Sequence, residues 1–143
     1  MSASHINPKK KQMRRTSLMF LSVSLFCGLF CAVYEHFSHG VYSGYMVYLF
    51  MFPLFGGVLP YAVLGFVQKI KCPSPTSAKI FNSGVAALTV GSCVKGVLDI
   101  YGTSSNYLTI YWAAGISLMA LGLVMYLVNQ YSLRNARQMH SKD

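Results

Sequence analysis

Four long runs of apolar residues dominate the chain, and short polar segments separate them. The pattern predicts membrane-spanning helices at about 17–39, 44–68, 77–100 and 107–131. At 1.5 Å per residue, the apolar part of each run is about 27 to 36 Å long as a helix, which is enough to cross the hydrocarbon layer of a bilayer. We therefore expect an all-α membrane protein, folded as one four-transmembrane-helix bundle over residues 17–133.

The composition favours lipid as the solvent of this fold. Only 10% of the 143 residues are charged, and a soluble protein needs many more charges to cover its surface. The net charge of +9 is also typical of nucleic-acid-binding proteins, but eleven of the twelve basic residues fall in segments that alternate crossing places on one side of the membrane. This positive-inside pattern predicts a multi-pass protein of the cell (inner) membrane with both termini cytoplasmic, and it argues against a nucleic-acid partner.

The two ends of the chain are predicted to be cytoplasmic tails. Residues 1–16 are polar and basic, and residues 134–143 are polar as well. The basic start followed by an apolar run also resembles a secretory signal peptide. We favour an uncleaved first helix, because the apolar run is longer than in most signal peptides and no small-residue cleavage site follows it.

The second apolar run contains Pro53, Gly56, Gly57 and Pro60. Proline lacks a backbone N–H and clashes with the preceding turn, so we expect this helix to be kinked or locally unwound near its middle. Lipid cannot satisfy the carbonyl groups that are freed, so neighbouring helices or a small wet cavity must do so. The kink is either purely structural or part of a binding site, as in transporters with broken helices.

Small residues recur on the third predicted helix. Two rows at i,i+4 spacing are Ser83, Ala87, Gly91, Lys95 and Asp99, and Gly84, Leu88, Ser92 and Gly96. Because small residues let membrane helices approach closely, we expect this face to lie inside the bundle. The serines of the apolar runs, Ser22, Ser24, Ser83, Ser92 and Ser117, are interpreted as helix-contact hydroxyls, since no histidine lies at their depth.

A polar cluster at the outer ends of the first and third helices is the one feature that resembles a site. Its members are Glu35, His36, His39, Lys95 and Asp99. A charge in a spanning helix is costly unless it is paired or hydrated. We therefore expect a partly buried ion pair of Lys95 with Asp99 or Glu35 that holds the first and third helices together. The alternative is that the cluster faces a ligand.

Metal binding is a second interpretation of the same cluster. His36 and His39 are three residues apart on one helical face and, with Glu35 or Asp99, have the ligand types that Zn²⁺ or Cu²⁺ prefers. Histidines near a membrane interface are more often ordinary polar residues, so we predict no cofactor. A bis-histidine haem needs axial ligands on opposite faces of its ring, which one helix face cannot supply, so such a haem would have to be shared across a dimer. No cysteine pair has the C-x-x-C spacing of zinc or redox motifs.

The sequence contains no P-loop, no H-E-x-x-H and no G-x-S-x-G motif. Its outer loops are short, and no polar set lies deep in the membrane. We therefore expect a non-enzymatic accessory, assembly or sensing component whose partners are the lipid bilayer and either a second copy of the chain or another membrane protein. The alternative is a small transporter, or a metal- or haem-binding subunit that uses the outer cluster.

Overall fold

The computed structural model describes the backbone of residues 8–38, 40–67 and 70–140, and the side chains of these residues up to Leu133. All regular secondary structure in these ranges is helical, without any strand. Four helices are long and apolar enough to cross a membrane, namely Pro8–Phe37, Gly44–Phe66, Pro75–Ile100 and Leu108–Leu133. The all-helical fold with four helices of membrane length is therefore confirmed, and these are called the first to fourth helices.

The first helix begins at Pro8, well before the predicted start at residue 17. Proline is favourable in a first turn, because its missing N–H has no helical partner there. The basic residues assigned to a tail therefore lie on the first turns of this helix. The helix ends at Phe37, and Gly40 follows with a φ of 88°, the left-handed conformation expected of a glycine after a helix. His39, its predicted last residue, lies outside the described residues.

The second helix is a series of short segments. The α-helical segments Gly44–Val47 and Met51–Pro53 are followed by a π-helical segment, Leu54–Val58, and by a last α-helical segment, Leu59–Phe66. The π segment contains the glycine pair and comes directly after the buried Pro53, which cannot donate to the preceding turn. The π-helical segment thus lies in the stretch where the sequence predicts a kinked or locally unwound helix.

The third helix has well-defined ends. At its start, the Ser77 N–H donates to Ser74 Oγ at 3.2 Å, and Pro75 occupies the first helical position, a common arrangement for helix capping. At its other end, Gly102 has a φ of 71° and closes the helix in the left-handed conformation. The predicted bounds, 77–100, are within two residues of these ends.

The fourth helix extends from Leu108 to His140, beyond the predicted end at residue 131. Neither glycine nor proline occurs after Gly122, so no residue there opposes continuation of the helix. The backbone of the predicted tail 134–143 is consequently helical as far as His140. The part up to Leu133 is long and apolar enough to cross a membrane.

The helices pack in the order in which they follow along the chain. Close backbone contacts join the first helix to the second, the second to the third and the third to the fourth. Over the described residues, no Cα atom of the first helix comes within 8 Å of one in the third or fourth helix. The second and third helices are therefore the centre of an open, layered bundle. The first and fourth helices expose large apolar side chains, such as Leu25 and Leu127.

Glycines allow a close backbone approach of the third and fourth helices. A Cβ atom on Gly84 would lie 2.6 Å from the Met119 backbone nitrogen and 2.7 Å from the Gly115 carbonyl oxygen. Gly91 and Gly122 also face the opposite helix at this interface. The two glycines of each helix at this interface are seven residues apart, a spacing that keeps them on the facing side over two turns. The pairs are Gly84 with Gly91 and Gly115 with Gly122.

The buried face of the third helix is one of the two predicted rows of small residues. Gly84, Leu88, Ser92 and Gly96 are all buried, which confirms the expected inward face for that row. Ser83, at the start of the other row, is exposed, and its hydroxyl donates to the Lys79 carbonyl of its own helix at 3.0 Å. The inward placement of Ser83 is therefore wrong, because near the start of the helix this row faces away from the neighbouring helices.

Candidate functional site

Two members of the predicted polar cluster, Lys95 and Asp99, form an ion pair on the third helix. Lys95 Nζ lies 2.7 Å from Asp99 Oδ1, and the two side chains are 25% and 29% exposed. Residues four apart on a helix are neighbours on its surface, so both charges are held in one short segment. The predicted pairing of Lys95 with Asp99 is present. Because both partners belong to one helix, the pair by itself does not hold the first and third helices together.

The second helix provides further contacts to this ion pair. The Ser43 hydroxyl, at the start of that helix, donates to Asp99 Oδ2 at 3.1 Å, and Lys95 Nζ lies 5.6 Å from the centre of the Tyr45 ring. A cation at this distance from an aromatic face is attracted to it. Both carboxylate oxygens of Asp99 therefore have a donor. These contacts join the second and third helices, whereas the sequence suggested the first and third.

Glu35, on the last turns of the first helix, does not take part in the ion pair. Its Oε1 atom is buried and has no hydrogen-bond partner among the described residues. Most buried polar atoms in folded proteins have a partner, and an unpaired one costs free energy. Glu35 is therefore the member of the outer cluster that has an unused acceptor atom.

The described metal-ligand candidates, Glu35, His36 and Asp99, are not assembled into a group that could hold a metal ion. His36 is exposed, and its ring contacts the neighbouring Phe37 ring edge-on at 5.4 Å. No three His, Cys, Asp or Glu side chains in the described part of the chain are arranged to hold a metal ion. His39 lies outside that part. Metal or haem binding by Glu35, His36, His39 and Asp99 stays a prediction.

The second polar feature is an interruption of the second helix that leaves one backbone carbonyl without its helical partner. The Leu49 N–H donates to the Met46 carbonyl at 3.1 Å, so the Tyr45 carbonyl, its acceptor in a regular α-helix, is left open. The Ser92 hydroxyl of the third helix donates to that carbonyl at 2.8 Å. Ser92 has no exposed surface. A neighbouring helix thus satisfies the break, as expected where lipid offers no donor.

The first helix supplies two similar contacts. The Ser24 hydroxyl donates to the Phe50 carbonyl at 2.9 Å, and the Ser17 hydroxyl donates to the Val58 carbonyl at 3.1 Å. Both serines are buried. Ser24 and Ser92 are among the predicted helix-contact residues, whereas Ser17 is not. The signal for Ser17 was its position, about two turns before Ser24 on the same side of the helix.

Gly56 and Gly57 admit neighbours on two sides of the second helix. A Cβ atom on Gly57 would overlap the Phe20 ring of the first helix, and one on Gly56 would lie 2.9 Å from a methyl group of Val85 on the third helix. Together with the buried Pro53, these glycines place the predicted kink region against both adjacent helices. Their observed contacts are packing contacts.

Basic side chains of the first helix cap the end of the second helix. Lys10 Nζ lies 2.6, 2.8 and 2.6 Å from the carbonyl oxygens of Leu64, Val67 and Ile70. Arg14 Nε donates to the Gly65 carbonyl at 3.3 Å, and its guanidinium lies 4.7 Å from the centre of the Phe66 ring. Cations are favourable at a helix C-terminus, because its last carbonyls lack partners and carry partial negative charge. Part of the basic charge of this chain thus stabilises a helix end.

These features divide the polar groups by role. Of the predicted polar cluster, Lys95 and Asp99 form an ion pair, and Glu35 has a buried oxygen without a hydrogen-bond partner among the described residues. The serines and Lys10 are engaged with backbone carbonyls. No protein-family model, curated protein or solved structure matches the chain. Its function is therefore inferred from its own residues and their geometry.

Proposed function

We propose that this chain is a non-enzymatic accessory component that assembles with another membrane protein, or with a second copy of itself, in the plane of the bilayer. The observation that carries the proposal is a row of small residues on the uncovered side of the fourth helix. Ala113, Ser117 and Ala120 are all exposed and follow each other at helical spacing. They lie opposite Gly115 and Gly122, which face the third helix.

Small residues on a membrane helix are typical of helix–helix interfaces, because they let backbones approach closely. The glycines of the fourth helix are already used for its contact with the third helix. The row of Ala113, Ser117 and Ala120 has no such use within the described chain, where these side chains are exposed. A helix from a partner fits this row.

The interior of the protein supports an assembly role. The buried polar side chains of the described chain are five serines, namely Ser17, Ser24, Ser43, Ser77 and Ser92. Each donates a hydrogen bond to an atom of another helix. The buried hydroxyls are thus committed to holding helices together, which favours a scaffold over a protein that carries a substrate through its core.

Photocrosslinking in cells tests the proposal. A photoreactive amino acid at Ile116 or Leu121, which flank the row and are 58% and 51% exposed, is expected to give discrete protein adducts on illumination. The same amino acid at Leu25 or Leu29 of the first helix, which are 68% and 65% exposed, is expected to react with lipid alone. The adducts are detected as bands of increased mass on a denaturing gel.

A matched variant separates contact at the row from chance collisions. Ala113→Leu with Ala120→Leu fills the row with larger side chains, and we expect it to remove the adducts without lowering thermal stability, because both positions are exposed. Adducts of equal yield from the first helix, or none from either flank of the row, would show that the fourth helix does not form this interface.

We further propose that the protein spans the cell inner membrane with both termini in the cytoplasm and that its second helix bends between Pro53 and Pro60. Lys10, Arg14 and Lys71 lie where the first helix begins and the second ends. Basic residues at that end favour the cytoplasmic side. The π-helical segment between the two prolines supports a bend, because such segments and prolines are common causes of helix kinks.

Cys72 provides a built-in probe of this orientation. It is partly exposed in the connection between the second and third helices, whereas the other three cysteines lie within the helices. We expect a membrane-impermeant maleimide to label it only after the cells are permeabilised. In a Cys72→Ser background, Ser104→Cys in the exposed outer turn should be labelled in intact cells. The reverse labelling of the two positions would invert the proposed topology.

A further inference from the structure

An apolar groove lies between the second, third and fourth helices near the end where Lys10 and Lys71 are located. It encloses about 460 Å³, which is within the range of about 300 to 1,000 Å³ typical of ligand pockets. Its walls include Leu59, Val63, Leu64, Phe81, Leu123 and Tyr126. The groove therefore offers space for a hydrocarbon chain.

The groove lies within the membrane-length helices. Its residues on the second helix belong to Gly44–Phe66, those on the third to Pro75–Ile100 and those on the fourth to Leu108–Leu133. Each of these three ranges is apolar enough to cross a bilayer. The groove thus opens toward lipid, and acyl chains are the hydrocarbon present at that depth.

Lys71 is fixed at one end of the groove. Its carbonyl accepts hydrogen bonds from the Tyr126 hydroxyl at 3.1 Å and from Gln130 Nε2 at 3.2 Å, and Tyr126 lines the groove. Lys10 Nζ is bonded to the carbonyl of the groove residue Ile70. Two cationic residues thus lie at the polar end of an apolar groove.

We propose that this groove binds an anionic phospholipid of the surrounding leaflet, with an acyl chain along its walls and the phosphate beside Lys71. The apolar walls match the chain of any phospholipid, so they give no preference among headgroups. The preference comes from Lys71, because the Lys10 ammonium group is already engaged by three carbonyl groups. The Lys71 backbone is anchored at the end of the groove, and a basic residue near the membrane surface attracts an anionic headgroup.

Native mass spectrometry of the full chain in detergent tests this site. Dioleoyl phosphatidylglycerol and dioleoyl phosphatidylcholine have the same acyl chains and differ in charge. We expect the protein to retain about fivefold more phosphatidylglycerol than phosphatidylcholine, which is the preference that one lysine near an anionic headgroup provides. Lys71→Gln is expected to remove this preference. Lys79→Gln, an exposed residue outside the groove walls, should keep it.

A second pair of variants tests the groove itself. Ala78 lines the groove, whereas Ala86 is exposed on the same helix outside it. Ala78→Phe should remove bound phosphatidylglycerol, and Ala86→Phe should retain it. Equal retention of the two lipids by the unchanged protein, or full retention by a folded Ala78→Phe variant, would overturn the proposal. If Ala78→Phe does not fold, the comparison of Lys71→Gln with Lys79→Gln decides, because neither substitution fills the protein interior.

Discussion

Replacing Gly84 by alanine is expected to destabilise the protein by about 1 to 3 kcal/mol, the usual cost of adding a methyl group where none fits. The new Cβ atom would lie 2.6 Å from the Met119 nitrogen and 2.7 Å from the Gly115 oxygen. Both are backbone atoms, so no side-chain rotation relieves the overlap, and the third and fourth helices must move apart. Equilibrium unfolding of the purified protein in mixed micelles with a denaturing detergent measures the change.

Gly28→Ala is the matched control for this substitution. Gly28 also lies inside a helix, but a Cβ atom there would meet nothing within 4 Å. Alanine is favoured over glycine in a helix by about 1 kcal/mol, so this variant should be unchanged or slightly more stable. If Gly84→Ala and Gly28→Ala have the same free energy of unfolding, the close contact of the third and fourth helices does not contribute to stability.

Ser92→Ala, which removes the Ser92 hydroxyl, is expected to lower the free energy of unfolding by about 1 to 1.7 kcal/mol. The average hydrogen bond between membrane helices is worth about 0.6 kcal/mol, and the largest about 1.7. Ser92 belongs at the upper end of that range, because it is fully buried and donates to the Tyr45 carbonyl, which the break in the second helix leaves open. Its removal leaves a buried carbonyl without a hydroxyl donor.

Ser83→Ala on the same helix separates this effect from the general cost of replacing serine. Ser83 is exposed, and its hydroxyl donates only to its own helix, at the Lys79 carbonyl. For Ser83→Ala, we expect the free energy of unfolding to change by at most about 0.5 kcal/mol. The same unfolding measurement serves both variants. If Ser92→Ala lowers the free energy of unfolding no more than Ser83→Ala does, the Ser92 hydroxyl does not stabilise the interrupted part of the second helix.

The four helices could be predicted because length and apolarity alone determine them. Their ends were less predictable. Helix formation at Pro8–Thr16 and at 134–140 depends on local propensity in water, where the hydrophobic pattern gives no signal. The sequence therefore located the apolar spans well and underestimated how far two helices extend beyond them.

The outer cluster could be predicted only in part. Lys95 and Asp99 pair because they are four apart on one helix, a relation that sequence spacing gives directly. The contact of Ser43 with Asp99 depends on how deeply the second helix begins relative to the third, and no local pattern encodes that depth. The role of Lys10 as a helix cap could not be predicted either, because membrane orientation already explains basic residues beside a spanning helix.

The packing of each helix against the next in the chain has a consequence for synthesis. Lys10, Ser17 and Ser24 find their acceptors on the second helix. Gly84 and Gly91 of the third helix meet the fourth. Each pair can dock as soon as its later member has been inserted, without waiting for a distant segment. Contacts between neighbours in sequence also favour fast folding. The chain is thus suited to assembly as two successive helical hairpins as it emerges from the ribosome.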